Sequence, residues 1–222
     1  MTVASGHKTQ ANHAQRLPSR FAKLGAGLLL MAFGVVCTSK ADLGISPIAS
    51  VPYVMALSVP LSLGLWTTIF SLFLLLVQML LYRFHIPVIS LLQLPAAVVF
   101  GLFTDGAMAL LDSISPKTLS AQVLFLIAGC ILLSFSVHLE TAASLAMLPG
   151  EATAQAVAVS TKRSFGAAKI LTDLGMVLSA GLLSVLLLGR LRGIGVGTVV
   201  AAISVGSLCK LPPRLSSQKA PT

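Results

Sequence analysis

The sequence predicts an all-α fold: a polytopic membrane helix bundle with six transmembrane helices and two short re-entrant helices, arranged as a 3+3 inverted repeat. Three observations predict it. The chain is 56% apolar and only 9% charged, whereas soluble domains carry roughly 25% charged residues. Its few charges are clustered, which leaves apolar stretches close to the ~20 residues that a bilayer-spanning helix needs. The two halves of the chain also carry similar breaks at matched positions.

Residues 1–20 are polar and show no hydrophobic period, so a disordered cytoplasmic tail is expected there. The segment Arg16 to Ala41 has a basic flank, an apolar run and a small-x-small "SKA", the outline of a signal peptide. It is expected to remain in the chain. "GVVC" lacks the small residue that a lipoprotein site needs before Cys37, and the segment has a counterpart later on. A single membrane domain is expected over 21–210, with halves at about 21–112 and 119–210, then a second disordered tail over 211–222.

The six spans fall at Phe21 to Ser39, Leu65 to Tyr82, Val88 to Leu111, Leu119 to Leu139, Ala167 to Gly189 and Gly195 to Cys209. The last is the shortest. At 1.5 Å per residue it reaches only ~22 Å.

Two more apolar segments, Ile45 to Leu57 and Met147 to Val159, are too short and too broken to span. Each opens near a proline, Pro47 or Pro149, and proline suits the first turn of a helix, where its missing N–H is not needed. Ser46 is a candidate N-cap, and Gly44 can end the preceding helix in a left-handed conformation. "DLGISP" therefore reads as stop, turn and start.

With the N-terminus inside, 11 of the 15 basic residues lie on the inner side and four, Lys40, Lys117, Arg190 and Arg192, on the outer side. The positive-inside rule then puts both termini in the cytoplasm. Without the N-terminal tail the count is 7 against 4.

Pro47 and Pro149 are 102 residues apart, as are Gly64 and Gly166. "HIPVIS" before the third span sits about where "GIGVGT" sits before the sixth. Each half reads as span, broken short segment, span, span. Three spans is an odd number, so the second half inserts upside down. Inverted repeats with interrupted helices are an architecture of secondary transporters, whose sites lie near the repeat interface. Irregular backbone at membrane depth is tolerated only inside protein or along a watery cavity.

That points to the residues at the breaks. Helix N-termini present free N–H groups and partial positive charge, so Ser46-Pro47 and Pro149-Gly150 are expected to approach one another around a solute. Glu151 and Gln155 lie four apart on one helical face, and Tyr53 lies 102 residues before Gln155. Ser46, Tyr53, Glu151 and Gln155 are the candidate substrate-binding residues. Asp173, about six residues into the fifth span, is the candidate ion-coupling carboxylate. The blander reading of Asp173 is a helical ion pair with Lys169 at i−4. Asp105 is a weaker version of the same idea, and Asp42 beside Lys40 reads as loop capping at the membrane interface. Gln78 and Gln93 read as interhelical hydrogen-bonding groups.

Other chemistry finds no pattern. Cys37, Cys130 and Cys209 have no metal-ligand spacing, and an odd number forms no closed disulfide set. His138 and Glu140, two apart, do not share a helix face. "GIGVGT" opens an apolar helix and lacks the strand that a dinucleotide loop follows; close backbone packing is its expected use, with Thr198 as a polar contact. The net charge of +9 has no basic stripe interleaved with aromatics, so it reads as loop charge and not as a nucleic-acid surface. No catalytic residue set, no metal site and no cofactor are expected.

Three stretches, "KADLGISPIASVPYVMALSVPLSLG", "KILTDLG" and "GIGVGTVVAAISVG", resemble the YczE-like and YitT-like group of small bacterial inner-membrane proteins, over roughly residues 21 to 210. The resemblance implies a multi-pass protein of the bacterial inner membrane and carries over no site residue. The expected function is a small-solute permease, a secondary transporter of a polar metabolite. The alternative is a non-transporting membrane protein that scaffolds or regulates a partner. The expected partners are the lipid bilayer, a small polar solute, and a second copy or another membrane protein.

Overall fold

The computed structural model describes residues 4–83, 88–145 and 147–208. It is all-helical, with no strand among the described residues. Eight α-helices follow in order: α1 Ala4–Lys40, α2 Pro47–Ser58, α3 Leu63–Leu81, α4 Gln93–Leu110, α5 Leu119–Ala143, α6 Pro149–Thr161, α7 Phe165–Leu188 and α8 Val196–Leu208. A 3-10 turn, Val88–Leu92, leads into α4.

Five of these helices are long and apolar enough to cross a membrane: α1 over Leu17–Lys40, α3, the 3-10 turn with α4 over Ser90–Leu110, α5, and α7. Their outward faces are covered with side chains such as Leu76, Leu102, Leu124, Ile131, Leu178 and Leu186, the surface expected against lipid. α8 has 13 residues, a reach of ~20 Å at 1.5 Å per residue, and falls short of the other five.

Several predicted boundaries move. α1 starts at Ala4, ahead of the expected span start at Phe21. The reason lies in composition: Lys8 to Leu17 is mostly Gln, Ala, Lys, Arg and Leu, all good helix formers. α5 runs past Leu139 to Ala143, where Ser144 turns left-handed. The third apolar run begins as a 3-10 turn because Pro95 fits only the first turn of the α-helix that follows. The tail beyond Leu208, Cys209, and part of "HIPVIS" lie outside the described residues.

α2 and α6 begin at Pro47 and Pro149, as the prolines predict. α3 and α7 begin at Leu63 and Phe165, each capped by a serine, Ser62 or Ser164, that accepts a backbone N–H. Both pairs of starts are 102 residues apart (149 − 47 and 165 − 63).

α1 and α5 form the central pair. Glycine lets their backbones approach: a Cβ at Gly34 would lie 2.8 Å from Leu133 Cγ, and one at Gly129 would lie 2.6 Å from Thr38 Cγ2. Gly27 faces Glu140, further along. The contacts ascend α1 as they descend α5, so the two helices are antiparallel. At the end of α5, Arg20 Nε donates to the Ala143 carbonyl at 2.8 Å, a cation where the helix leaves carbonyls unpaired. α4 packs on α1, and α8 on α5. α3 packs on α4, and α7 on α8. The short helices cross between halves: α2 touches α3 and α7, and α6 touches α7 and α3.

Candidate functional site

α2 and α6 meet at their first turns. The Ile48 side chain lies over Gly150, where a Cβ would collide with Ile48 Cδ1. On either side of this contact is a cavity, and Ile48 lines both.

The first cavity, about 30 Å³, is bounded by Ser46, Pro47, Glu151, Lys169 and Asp173 together with apolar side chains of α1, α5 and α8. That is room for one or two waters. Lys169 Nζ donates to Asp173 Oδ1 at 2.8 Å, one helical turn away. The same ammonium lies 3.8 Å from Glu151 Oε1. Glu151 is 9% exposed and Ser46 is 3% exposed. Both carry a buried oxygen without a hydrogen-bond partner, Glu151 Oε2 and Ser46 Oγ. Ser46 occupies the N-cap position but makes no side-chain capping bond, so its hydroxyl is left to the cavity and not spent on α2.

The second cavity, about 10 Å³, is bounded by Val35, Ile48, Ala49, Thr67, Phe70, Ser71, Phe100, Leu148 and Pro149. Seven of these nine lie 102 residues from a residue of the first cavity. Ala49 matches Glu151, Thr67 matches Lys169, and Ser71 matches Asp173. The two cavities have the same frame, but only one is charged.

Behind the charged cavity sits Glu140 of α5, 6% exposed. It lies near the Leu148 backbone and close enough to Glu151 for the two carboxyl groups to interact electrostatically. Its Oε1 has no partner. Sequence reasoning passed over Glu140 because it was compared with His138, which is on another face. A signal was available: Leu126, Cys130, Leu133, Val137 and Glu140 recur at helical spacing and are all buried.

Of the residues singled out from sequence, the cavity brings Ser46, Glu151 and Asp173 together. Tyr53 and Gln155 line neither cavity. The Tyr53 ring packs against Gly193; Gln155 is partly exposed on α6. Helical spacing put Gln155 on the Glu151 face, but the cavity closes around the first turn of α6 only.

Asp105 is a capping group. Its carboxylate takes Ser62 Oγ and the Gly64 N–H, both at 2.7 Å, at the start of α3. Lys40 pairs with Asp112, with Nζ 3.2 Å from its carbonyl, and Asp42 sits in the loop at φ 54°. Gly44, at φ +120°, packs against Gly195 and Thr198, and the Gly197 N–H donates to the Leu43 carbonyl at 2.8 Å. "GIGVGT" is thus used for close backbone packing. Gln78 and Gln93 exchange amide hydrogen bonds at 3.2 and 3.3 Å, and Gln78 Nε2 also reaches the Pro149 carbonyl at 3.1 Å. Among the described residues, no group of three or more His, Cys, Asp or Glu could hold a metal ion.

The chain belongs to DUF6198, a family of unknown function, whose family model matches residues 18–212. No curated protein and no solved structure matches it.

Proposed function

We propose that the chain is a small-solute permease, a secondary transporter of the bacterial inner membrane with both termini in the cytoplasm. In this reading α8 is a sixth span, α2 and α6 are re-entrant, and the two halves form a 3+3 inverted repeat. The fold supports the repeat in three ways. Helix starts recur at an offset of 102 residues. The packing is exchanged between halves, with α2 on α7 matched by α6 on α3, and α1 on α4 matched by α5 on α8. The equivalent helices α1 and α5 run antiparallel, as an inverted repeat requires. The bias of basic residues supports the orientation, and the sequence motifs support the YczE-like and YitT-like resemblance.

The observation that carries the function is the pair of related cavities that meet at Ile48 and Gly150. Two half-helices ending at one point beside buried charge are the arrangement in which transporters hold solutes. Ser46 and Glu151 contact the solute, with the Lys169–Asp173 ion pair beside them. A carboxylate beside two positive helix ends disfavours a simple anion, so the solute is zwitterionic or neutral and polar. As it stands the cavity takes only water-sized species.

The same small volume favours the scaffold alternative, and one experiment separates the two. The purified protein is screened for thermal stabilisation by a panel of polar metabolites. A stabilising metabolite whose effect is lost in Glu151→Ala supports the permease. No stabilising metabolite, with a protein partner that co-purifies stoichiometrically, supports the scaffold.

A further inference from the structure

The charged cavity holds more acid than base. Two buried carboxyl groups, Glu151 and Asp173, line it, and a third, the buried Glu140, lies near Glu151. Lys169 answers Asp173 at 2.8 Å and reaches Glu151 at 3.8 Å. The charged groups that face the cluster from each packed element can be named. From α1 there is Arg20, held at the rim by the Ala143 carbonyl, while Lys23 is exposed. From α6 there is Glu151, and from α7 there are Lys169 and Asp173. The described part of α8 carries no charged residue, and His138 on α5 itself is exposed.

One lysine therefore serves three acids inside the membrane-facing bundle. An unpaired carboxylate in such a place is costly, and a group that cannot be paired takes up a proton instead. The two oxygens without partners identify where: Glu140 Oε1 and Glu151 Oε2. They belong to the two carboxyl groups that interact with each other and not to Asp173, which already has its cation. The neutral cavity makes the same point by contrast. There the counterparts of Glu151 and Asp173 are Ala49 and Ser71, and Glu140 corresponds to Thr38, whose hydroxyl bonds the Val35 carbonyl at 2.9 Å.

The geometry points to Glu140 as a buried carboxyl group that binds a proton, with Glu151 next to it as the carboxylate that faces the cavity. The ion that the site takes is thus H⁺, and a water in the cavity is its route to Glu151. Asp173 with Lys169 is the fixed ion pair that positions Glu151. The uptake is a simple acid–base step: a hydronium in the cavity gives its proton to one carboxylate oxygen and leaves as water. This deepens the permease reading, and it rests on that reading only for what the proton drives.

The test reads the proton directly and needs no solute. Infrared difference spectra of the purified full-length protein are recorded as pH is raised from neutral, following the carbonyl stretch that a protonated carboxyl has and a carboxylate lacks. The wild type is expected to show this band at neutral pH and lose it on alkalinisation. Glu140→Gln is expected to remove it. In Glu151→Gln the remaining Glu140 band is expected to titrate at lower pH, because a negative neighbour has gone. Asp173→Asn should leave the band in place. If Glu140→Gln does not fold, the shift in Glu151→Gln decides the matter alone. No such band in the wild type, a band unchanged in both glutamine variants, or a band removed by adding sodium chloride at fixed pH overturns the proposal. A failed metabolite screen leaves this result standing, and the reverse also holds.

Discussion

The Ile48 side chain rests on Gly150, and this contact joins the first turns of two half-helices from opposite halves of the chain. No side chain larger than hydrogen fits at 150 while Ile48 stays, since even a Cβ meets Ile48 Cδ1 and Cγ1. Ile48 also lines both cavities, so it stands between them.

Gly150→Ala should therefore push the flexible end of Ile48 aside and destabilise the protein by about 1 kcal/mol, the low end of overpacking a filled site. Pairing it with Ile48→Ala should return most of that loss. Thermal or denaturant unfolding of both single variants and the double variant forms the cycle. Simple additivity would mean that the two residues do not share the site.

Gln78 and Gln93 should act as a unit. Gln78→Leu leaves the buried Gln93 amide without its partner, at an expected loss of about 0.6–2 kcal/mol inside a helix bundle. The double Gln78→Leu, Gln93→Leu variant should lose no more than the single one, because two apolar groups replace a satisfied pair. Loss of twice the single effect would contradict the exchanged amide bonds.

Asp105 and Asp173 should separate by phenotype. Asp105→Ala removes the carboxylate that accepts the Gly64 N–H beside the Ser62 cap and should lower stability by about 0.5–2 kcal/mol, leaving any stabilising metabolite's affinity unchanged. Asp173→Ala removes the carboxylate that Lys169 holds at 2.8 Å beside Glu151 and should weaken that affinity. Equal effects on affinity would remove the distinction between a capping acid and a cavity acid.

How much of this was legible before folding depends on the range of the cause. The starts of α2 and α6 were legible because Pro47 and Pro149 act on their own first turn. The Lys169–Asp173 pair was legible because four residues make one turn. Glu140 was legible in principle from the period of α5, yet it needed α1 beside it before its burial meant anything. The second partner of Lys169 was not legible: it depends on how α6 folds back along α7. Asp105 reaches across 41 residues to cap Gly64, and no local pattern announces that. Tyr53 and Gln155 were assigned by offset and face alone, and these do not say how far along a short helix a cavity extends.

The orientation can be mapped by cysteine accessibility in whole cells. Single cysteines placed at positions 117 and 190 should label from outside, and those at positions 83 and 162 only after permeabilisation. Finding the two termini on opposite sides would break the proposed inverted repeat.

Uptake into liposomes that contain only the purified protein tests the central claim most directly. A metabolite that stabilises the protein is presented under an imposed pH gradient, inside against outside. The account predicts that it accumulates in wild-type vesicles, that accumulation collapses when the gradient is dissipated, and that Glu151→Gln abolishes it. A metabolite that binds but never crosses, with or without the gradient, would contradict it.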